Sequence, residues 1–289
     1  MVQVAKEVIS SCDHSKTAVT KALGVSRASI YKKAKVIEMT FYRKKEDEIY
    51  LPLIRMVIEK RPSYGYKRIT TLVNRILKSR NEPAINRKRV YRIMKISGLT
   101  LPKSAAIRVN HEGTGKVMTL HSNTRWCSDG FEIKCFNGEK VYVAFSLDCC
   151  DREAIHYVAA REPLTQSHIA ELMIFSVDKR FPGKRAPRTI QWLSDRGSIY
   201  RAEMVRDTAR MLNLESCYTA AYSPSSNGMA EAFVGTIKRD YVYTSDCCDA
   251  DEVLRMLPEW IEDYNSSAPH SALQMMSPRE FIGKNSTVN

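Results

Sequence analysis

Three acidic side chains sit where a folded chain could bring hard oxygen ligands to one point: Asp129 in WCSDGFEI, Asp195 in IQWLSDRGSIY and Glu231 just after SPSSNGMA. Grouped carboxylates suit small divalent cations such as Mg2+ or Mn2+, which keep part of their water and accept phosphate oxygens as further ligands. Two such ions about 4 Å apart can activate an attacking oxygen and stabilise a leaving one in phosphodiester chemistry. Singly each acid means little, since an aspartate at a strand end is usually a turn former or a cap. As a set they mean more: Asp129 falls on a first strand, Asp195 ends a fourth, and Glu231 lies on a following helix with 35 residues between it and Asp195.

Such a set needs a sheet and a crossing helix to position it, and the chain from Asn123 onward supplies the pattern. Residues 125–136 alternate, Asn137-Gly138 signals a two-residue hairpin, and residues 140–147 alternate again. A turn at 150–152 leads to a third strand over 154–160. A helix over 166–181, a strand over 188–193, a helix near 201–212, a strand over 215–219 and a helix from about 229 to 241 follow. Three hairpin-linked strands and then alternating helices and strands predict a five-stranded mixed α/β sheet of the ribonuclease H type. Carboxylates at strand ends then open into the crevice where ligands of open α/β folds bind. Trp126 and Trp192, each three residues before an aspartate, are expected to pack beneath the site. Asp148 and Asp151 read as turn residues and His156 as a core or edge residue. A further helix over 251–264 precedes a polar tail, where His270 could cap, pack or touch DNA.

The 289-residue chain carries 45 Lys and Arg against 32 Asp and Glu, a net charge of +13, and the excess is localised. Residues 1–110 hold 25 basic and 8 acidic side chains, leaving 20 and 24 for the remainder. A basic first third beside a mildly acidic rest implies a dedicated polyanion-binding region. Residues 1–40 predict a helix capped by Ser15, a turn at Gly24 and a second helix bearing Arg27, Lys32 and Lys33. This is a helix-turn-helix pattern, or else a plain helical hairpin with a solvated basic face. Residues 41–100 predict a second helical domain of the same sort. There Asn86 caps a helix with Val90, Ile93 and Met94 on one side and the DNA-contact candidates Arg87, Lys88 and Arg89 on the other. Residues 101–122 read as a linker, 123–245 as the catalytic core, and 246–289 as a C-terminal helix and tail.

No run of 18 apolar residues exists and the first residues lack an apolar signal core, so no membrane span and a cytoplasmic, nucleoid-associated location are expected. The eight cysteines show no C-x-x-C spacing, which favours free thiols over zinc or disulfides. No tyrosine sits within a cluster of Arg and His, which excludes a covalent phosphotyrosyl mechanism.

Taken together, WCSDGFEI, LSDRGSIYRA, SPSSNGMAEAFVGTIKRDYV, INRKRVYRIM and YNSSAPHSALQMMSPREF resemble the insertion-sequence transposases with an integrase-like Asp-Asp-Glu core, in particular the second-frame product of elements with two overlapping frames. The resemblance covers essentially the whole chain. It implies a polynucleotidyl transferase whose catalytic and metal-binding residues are Asp129, Asp195 and Glu231, holding Mg2+ or Mn2+, two ions in all. It also implies that Lys238, seven residues after the glutamate, contacts a DNA phosphate, although a solvated lysine fits the same position. Substrates would be double-stranded DNA, namely terminal inverted repeats and target DNA, bound by a homo-oligomer. The family's active enzyme is usually a frameshifted fusion, so the upstream frame's product is an expected partner or fused segment. The zinc-binding module of retroviral integrases is absent, which leaves DNA recognition to the helix-turn-helix regions. A nuclease that cuts without joining, or a non-catalytic DNA-binding repressor, would be the competing functions.

Overall fold

The computed structural model describes residues 2–11, 15–26, 46–102, 119–219 and 227–286. It divides into two units, Met1–Lys44 and Lys45–Asn289. In the first, α1 (Val2–Ser11) precedes α2 (Lys16–Ala22). Ser15 caps α2 by accepting from the Ala18 N–H at 3.2 Å, and Gly24 follows its end with φ +62°. The expected second helix, with Arg27, Lys32 and Lys33, lies outside the described residues.

The second unit opens with three helices, α3 (Asp47–Lys60), α4 (Tyr66–Ser79) and α5 (Arg87–Ile96), closed around Ile54, Val57, Ile69, Val73, Val90 and Met94. Asn86 caps α5 as expected, its side chain accepting from the Lys88 N–H at 2.8 Å. At the other end Gly98 adopts φ +67° so that the Leu99 N–H can reach the Met94 carbonyl at 2.8 Å, closing the helix with the left-handed residue that glycine supplies cheaply. α3 starts before Tyr50 because Asp47 anchors its positive end and accepts from Arg89 (2.7 Å) and Arg92 (2.6 Å) of α5.

The sheet has the order β3-β2-β1-β4-β5. β1 (Arg125–Lys134), β2 (Lys140–Asp148) and β3 (Ala154–Ala160) form an antiparallel meander, and β4 (Ile190–Ser194) and β5 (Leu214–Tyr218) run parallel to β1. α6 (Gln166–Arg180), the short α7 (Ser198–Arg201) and α8 (Glu203–Met211) cover one face through Ile169, Met173, Val177, Tyr200 and Val205. α9 (Gly228–Asp240) and α10 (Ala250–Ser266) cover the other through Phe233, Ile237, Val253 and Trp260. Alternation along β1 divides its side chains between these cores: Trp126 joins the α6 side, while Cys127 and Ile133 join the α9 side. This is the ribonuclease H-like arrangement. Among the described residues, no helix is long and apolar enough to cross a membrane, and the described cysteines are all free.

Two elements differ from the sequence expectation. The β1–β2 hairpin is not a two-residue turn: Cys135 pairs with Glu139 (N–H to carbonyl, 2.9 Å) across a three-residue loop, with Gly138 at φ +91°. The tip is held by tertiary bonds, the Phe136 N–H donating to the Cys247 carbonyl (2.8 Å) and the Asn137 N–H to that of Cys248 (3.1 Å). The C-terminal tail is also structured. A last helix, α11 (Pro278–Ser286), starts from a reciprocal cap in which the Ser277 N–H donates to the Glu280 carboxylate (2.7 Å) and the Glu280 N–H to the Ser277 hydroxyl (3.3 Å).

His270 proves to be a packing residue, its ring edge-on to Tyr264 at 4.6 Å. Burial, reinforced by the nearby Arg68 charge, pushes the imidazole down to about 4. The folded value lies below the unfolded one of roughly 6.5, so this group's contribution to stability is fully present above pH 6.5 and is lost as pH falls towards 4. Thermal midpoints measured between pH 7 and 4 are expected to fall more steeply for the wild type than for His270→Gln. Parallel curves would refute the assignment.

Candidate active site

β1 and β4 set the two aspartates level. The pairs Arg125↔Gln191, Trp126↔Trp192 and Cys127↔Leu193 share one offset, and Asp129 and Asp195 each follow the last of these pairs by two residues. Both aspartates have the parity of Cys127 and Leu193, which face α9. β4 ends at Ser194, so Asp195 leaves the sheet where β1 still continues.

α9 delivers the glutamate to the same face. Its start is pinned by buried Asn227, whose side-chain amide donates to the Ser128 carbonyl at 3.3 Å, beside Asp129. In mid-helix the Phe233 ring packs tilted at 39° against Phe145, centroids 4.3 Å apart, and Phe145 is the cross-strand partner of Asp129. Further on, the Lys238 ammonium lies 5.7 Å from the centroid of the Phe131 ring. Glu231 lies between these anchors and is exposed.

The electrostatics carry the mark of crowding. Burial raises the Asp129 carboxyl above its ordinary value; the Gly130 N–H opposes this, and the charges of Asp195 and Glu231 push it up further. The carboxylates of Asp129 and Asp195 each accept one local backbone N–H, from Gly130 (2.8 Å) and Gly197 (2.9 Å). Among the described residues, no Lys or Arg forms an ion pair with any of the three acids. Three mutually repelling carboxylates without a protein cation fit a hard divalent metal by donor chemistry. Among the described residues, however, no group of three His, Cys, Asp or Glu is already gathered tightly enough to hold one.

Two supporting residues escaped the sequence reading. The buried Tyr200 hydroxyl meets that of Ser128 at 2.9 Å under the aspartates, and burial keeps this phenol protonated well beyond its ordinary range. No local pattern links these two positions, which are 72 residues apart. Gly197 was within reach, because Asp-x-Gly is a side-chain-to-backbone turn signal. A Cβ at Gly197 would lie 2.9 Å from the Asp195 Oδ1. Its backbone (φ −54°, ψ 145°) accepts alanine, so the substitution displaces the carboxylate rather than the fold. We expect Gly197→Ala to melt within about 0.5 kcal/mol of wild type while losing roughly 100-fold in DNA cleavage through misplacement; full activity in a gel-based cleavage assay would contradict this geometry.

The remaining sequence candidates are placed as follows. Trp126 and Trp192 are fully buried edge to face at 6.4 Å, on the sheet face opposite the acids. Asp148 is a turn residue, accepting from the N–H groups of Asn123, Cys150 and Asp151. Arg87 and Lys88 are exposed at the start of α5. Arg89 is engaged with Asp47 and Glu46 and lies over the Tyr50 ring at 4.8 Å. α9 ends at Asp240, a fully buried carboxylate that accepts from Ser63 (2.7 Å) and Arg68 (2.6 Å) of the helical domain and from its neighbour Arg239 (2.7 Å). Burial opposes ionisation of Asp240, but these donors overcome it and hold the carboxyl below its ordinary value.

Fold and site together define an integrase-type core, and comparison with known proteins agrees. Two models described as "Integrase core domain" match residues 120–224 and 212–278, and an "HTH-like domain" matches 44–104. The transposase InsD for insertion element IS2A/D/F/H/I/K of Escherichia coli is 42% identical over 269 residues, covering 91% of this chain and 89% of its own. The transposase InsD for IS2-9 of Escherichia coli is likewise 42% identical, over 91% and 88%. Among solved structures, a chain of the simian T-cell lymphotropic virus intasome complex aligns over 80% of this chain and 73% of its own at 13% identity, with a TM-score of 0.48. The chain belongs to the insertion-element transposase family, whose work is DNA transposition.

Proposed function

We propose that Asp129, Asp195 and Glu231 form the catalytic centre and hold Mg2+ or Mn2+, two ions in the working enzyme. The observation that carries this reading is the convergence of the three acids: Asp129 on β1 lies close enough to Asp195, just past the end of β4, and to Glu231 on α9 for their charges to raise its carboxyl, and among the described residues no Lys or Arg forms an ion pair with any of the three. Bound there, divalent ions supply an activated oxygen nucleophile and charge neutralisation at the scissile phosphate. The chain's own contribution is positional. The Gly130 and Gly197 N–H groups orient the aspartates, and Asn227 and Phe233 fix the helix that presents Glu231. The reaction is hydrolysis at the element's end to free a 3′-OH, followed by attack of that hydroxyl on a second phosphodiester, with no covalent link to protein.

Lys238 contacts a DNA phosphate next to the acids, and Arg87 and Lys88 contact the backbone of a terminal inverted repeat. Arg89 and its Asp47 partner brace α5, while Arg27, Lys32 and Lys33 serve the first DNA-binding unit. Two or more protomers pair the ends, with the upstream frame's product fused or bound. In domain terms we assign 1–40 and 41–100 to DNA binding, 101–122 to a linker, 123–245 to catalysis and 246–289 to the C-terminal helices. The test is a strand-transfer assay on element-end duplexes, uncut and pre-cleaved, with Mg2+, Mn2+ or chelator. Joined products that require the metal support transposition chemistry; cutting without joining means a nuclease, and duplex binding with neither activity, even with the upstream frame's product added, means a DNA-binding repressor.

A further inference from the structure

A second surface adjoins the catalytic face. The end of β1, the last turns of α9 and the segment after it enclose a groove of about 600 Å³, floored by Ile133 and Val242 and rimmed by Lys134, Phe136, Lys238 and Tyr243. Phe136 and Tyr243 are 75% and 76% exposed, whereas the neighbouring Phe145, Phe233 and Tyr241 are buried. Lone exposed aromatics are ordinary; two flanking one groove beside lysines are a binding arrangement.

Their backbones are fixed in place. The hairpin tip that carries Phe136 is hydrogen-bonded to the Cys247 and Cys248 carbonyls. Tyr243 sits in the 3-10 turn Val242–Thr244, where the Thr244 hydroxyl caps the Asp240 carbonyl at 2.9 Å. The rings are therefore presented at no ordering cost to the main chain. Charge favours a polyanion: Glu132, the acid in the lining, is taken up by Lys140 (3.0 Å) and faces Lys134 (3.9 Å), leaving Lys238 and an excess of positive charge. Lys238 links the groove to the site, since it lines the groove and its ammonium lies over Phe131, two residues from Asp129 on the same strand face.

We propose that this groove receives an unstacked base of the donor DNA strand a few nucleotides from the cleaved bond, since Phe136 lies seven residues beyond Asp129 at about 3.3 Å each; Phe136 and Tyr243 sandwich it while Lys134 and Lys238 hold its flanking phosphates. Stacking on fixed aromatic rings with cations along the backbone is how proteins hold single-stranded nucleic acid without reading its sequence. The inference rests on the catalytic reading above and extends it to the substrate's path.

The experiment places 2-aminopurine singly at positions flanking the scissile bond in pre-cleaved element-end duplexes. Full-length wild type, Phe136→Ala, Tyr243→Ala and Phe136→Trp are compared for fluorescence, duplex affinity, melting and joining with Mg2+. We expect wild type to raise the fluorescence at one position as that base leaves its neighbours. Either alanine variant should cut the rise at least threefold, slow joining about tenfold and weaken duplex binding by about as much, with melting unchanged, and Phe136→Trp should restore all three. If the alanine variants match wild type while Asp195→Asn is inactive, the groove is not used and the catalytic reading stands. A wild type that does not join even when supplied with the upstream frame's product overturns both. Lost melting stability in the alanine variants, with Phe136→Trp also failing to join, makes the rings structural and overturns the groove alone.

Discussion

Asp195→Asn should lower cleavage and joining at least a thousandfold, the scale on which electrostatic stabilisation of developing charge is lost, while the protein folds as well as before. The Asp195 side chain is exposed and accepts only the Gly197 N–H locally, so little packing depends on its charge. Its charge is moreover one of those that raise the Asp129 carboxyl. Neutralising it should let Asp129 ionise more readily and leave the thermal midpoint level or slightly raised, as expected when like charges are separated. Element-end duplex binding measured by mobility shift in chelator should not weaken, because the substitution leaves every basic residue assigned to DNA in place and removes a negative charge from the DNA-facing site. A variant that keeps even a tenth of wild-type joining would remove Asp195 from the catalytic set, and with it the proposed site.

The second large effect concerns stability. Asp240→Ala strips the buried carboxylate from between Arg68, Arg239 and Ser63. Arg68 is then left largely buried without its counter-charge, although its guanidinium still lies 3.7 Å from the Tyr64 ring centroid and its Nε still reaches the Pro269 carbonyl. Breaking one side of a buried pair costs about 3–5 kcal/mol, most of it the penalty on the abandoned partner. At roughly 2–4 °C per kcal/mol for a protein of this size, the melting point should fall by about 10 °C. Arg68→Met in the same background should recover part of the loss, and a double-mutant cycle measured by calorimetry reads the coupling directly. Strictly additive losses would show that the pair contributes nothing of its own.

How much of this was legible in advance follows from the range of the forces involved. The strands announced themselves through apolar, β-branched and aromatic runs bounded by turn residues, although β1 and β2 prove to be covered on both faces, and the capped start of α5 is a local bond between Asn86 and Lys88. The three acids stood out as a candidate set through strand-end placement and the long motifs around them, and the structure places Asp129 within electrostatic reach of the other two. The three-residue hairpin loop was not, because bonds from Phe136 and Asn137 to residues some 110 positions away override the local preference for Asn-Gly. α11 was overlooked although Ser277-Pro278-Arg279-Glu280 spells a capping box with proline at the first helical position. The commitment of Arg89 to Asp47 was invisible because a basic helix face reads the same whether its cations meet water, DNA or a distant aspartate. The pairing of Ser128 with Tyr200 and the anchoring of Asn227 depend on which elements lie side by side, which periodicity does not specify.

α9 serves two masters: its first turn bears Glu231, the glutamate proposed for catalysis, and its last residue is the post on which the helical domain is fastened. Nine positions separate them. Inserting or deleting a single residue between them would swing one end by about 100° relative to the other. Diverging copies of the element can therefore lengthen surface turns freely, but the stretch from Glu231 to Asp240 behaves as a gauge block whose length selection cannot adjust in single steps.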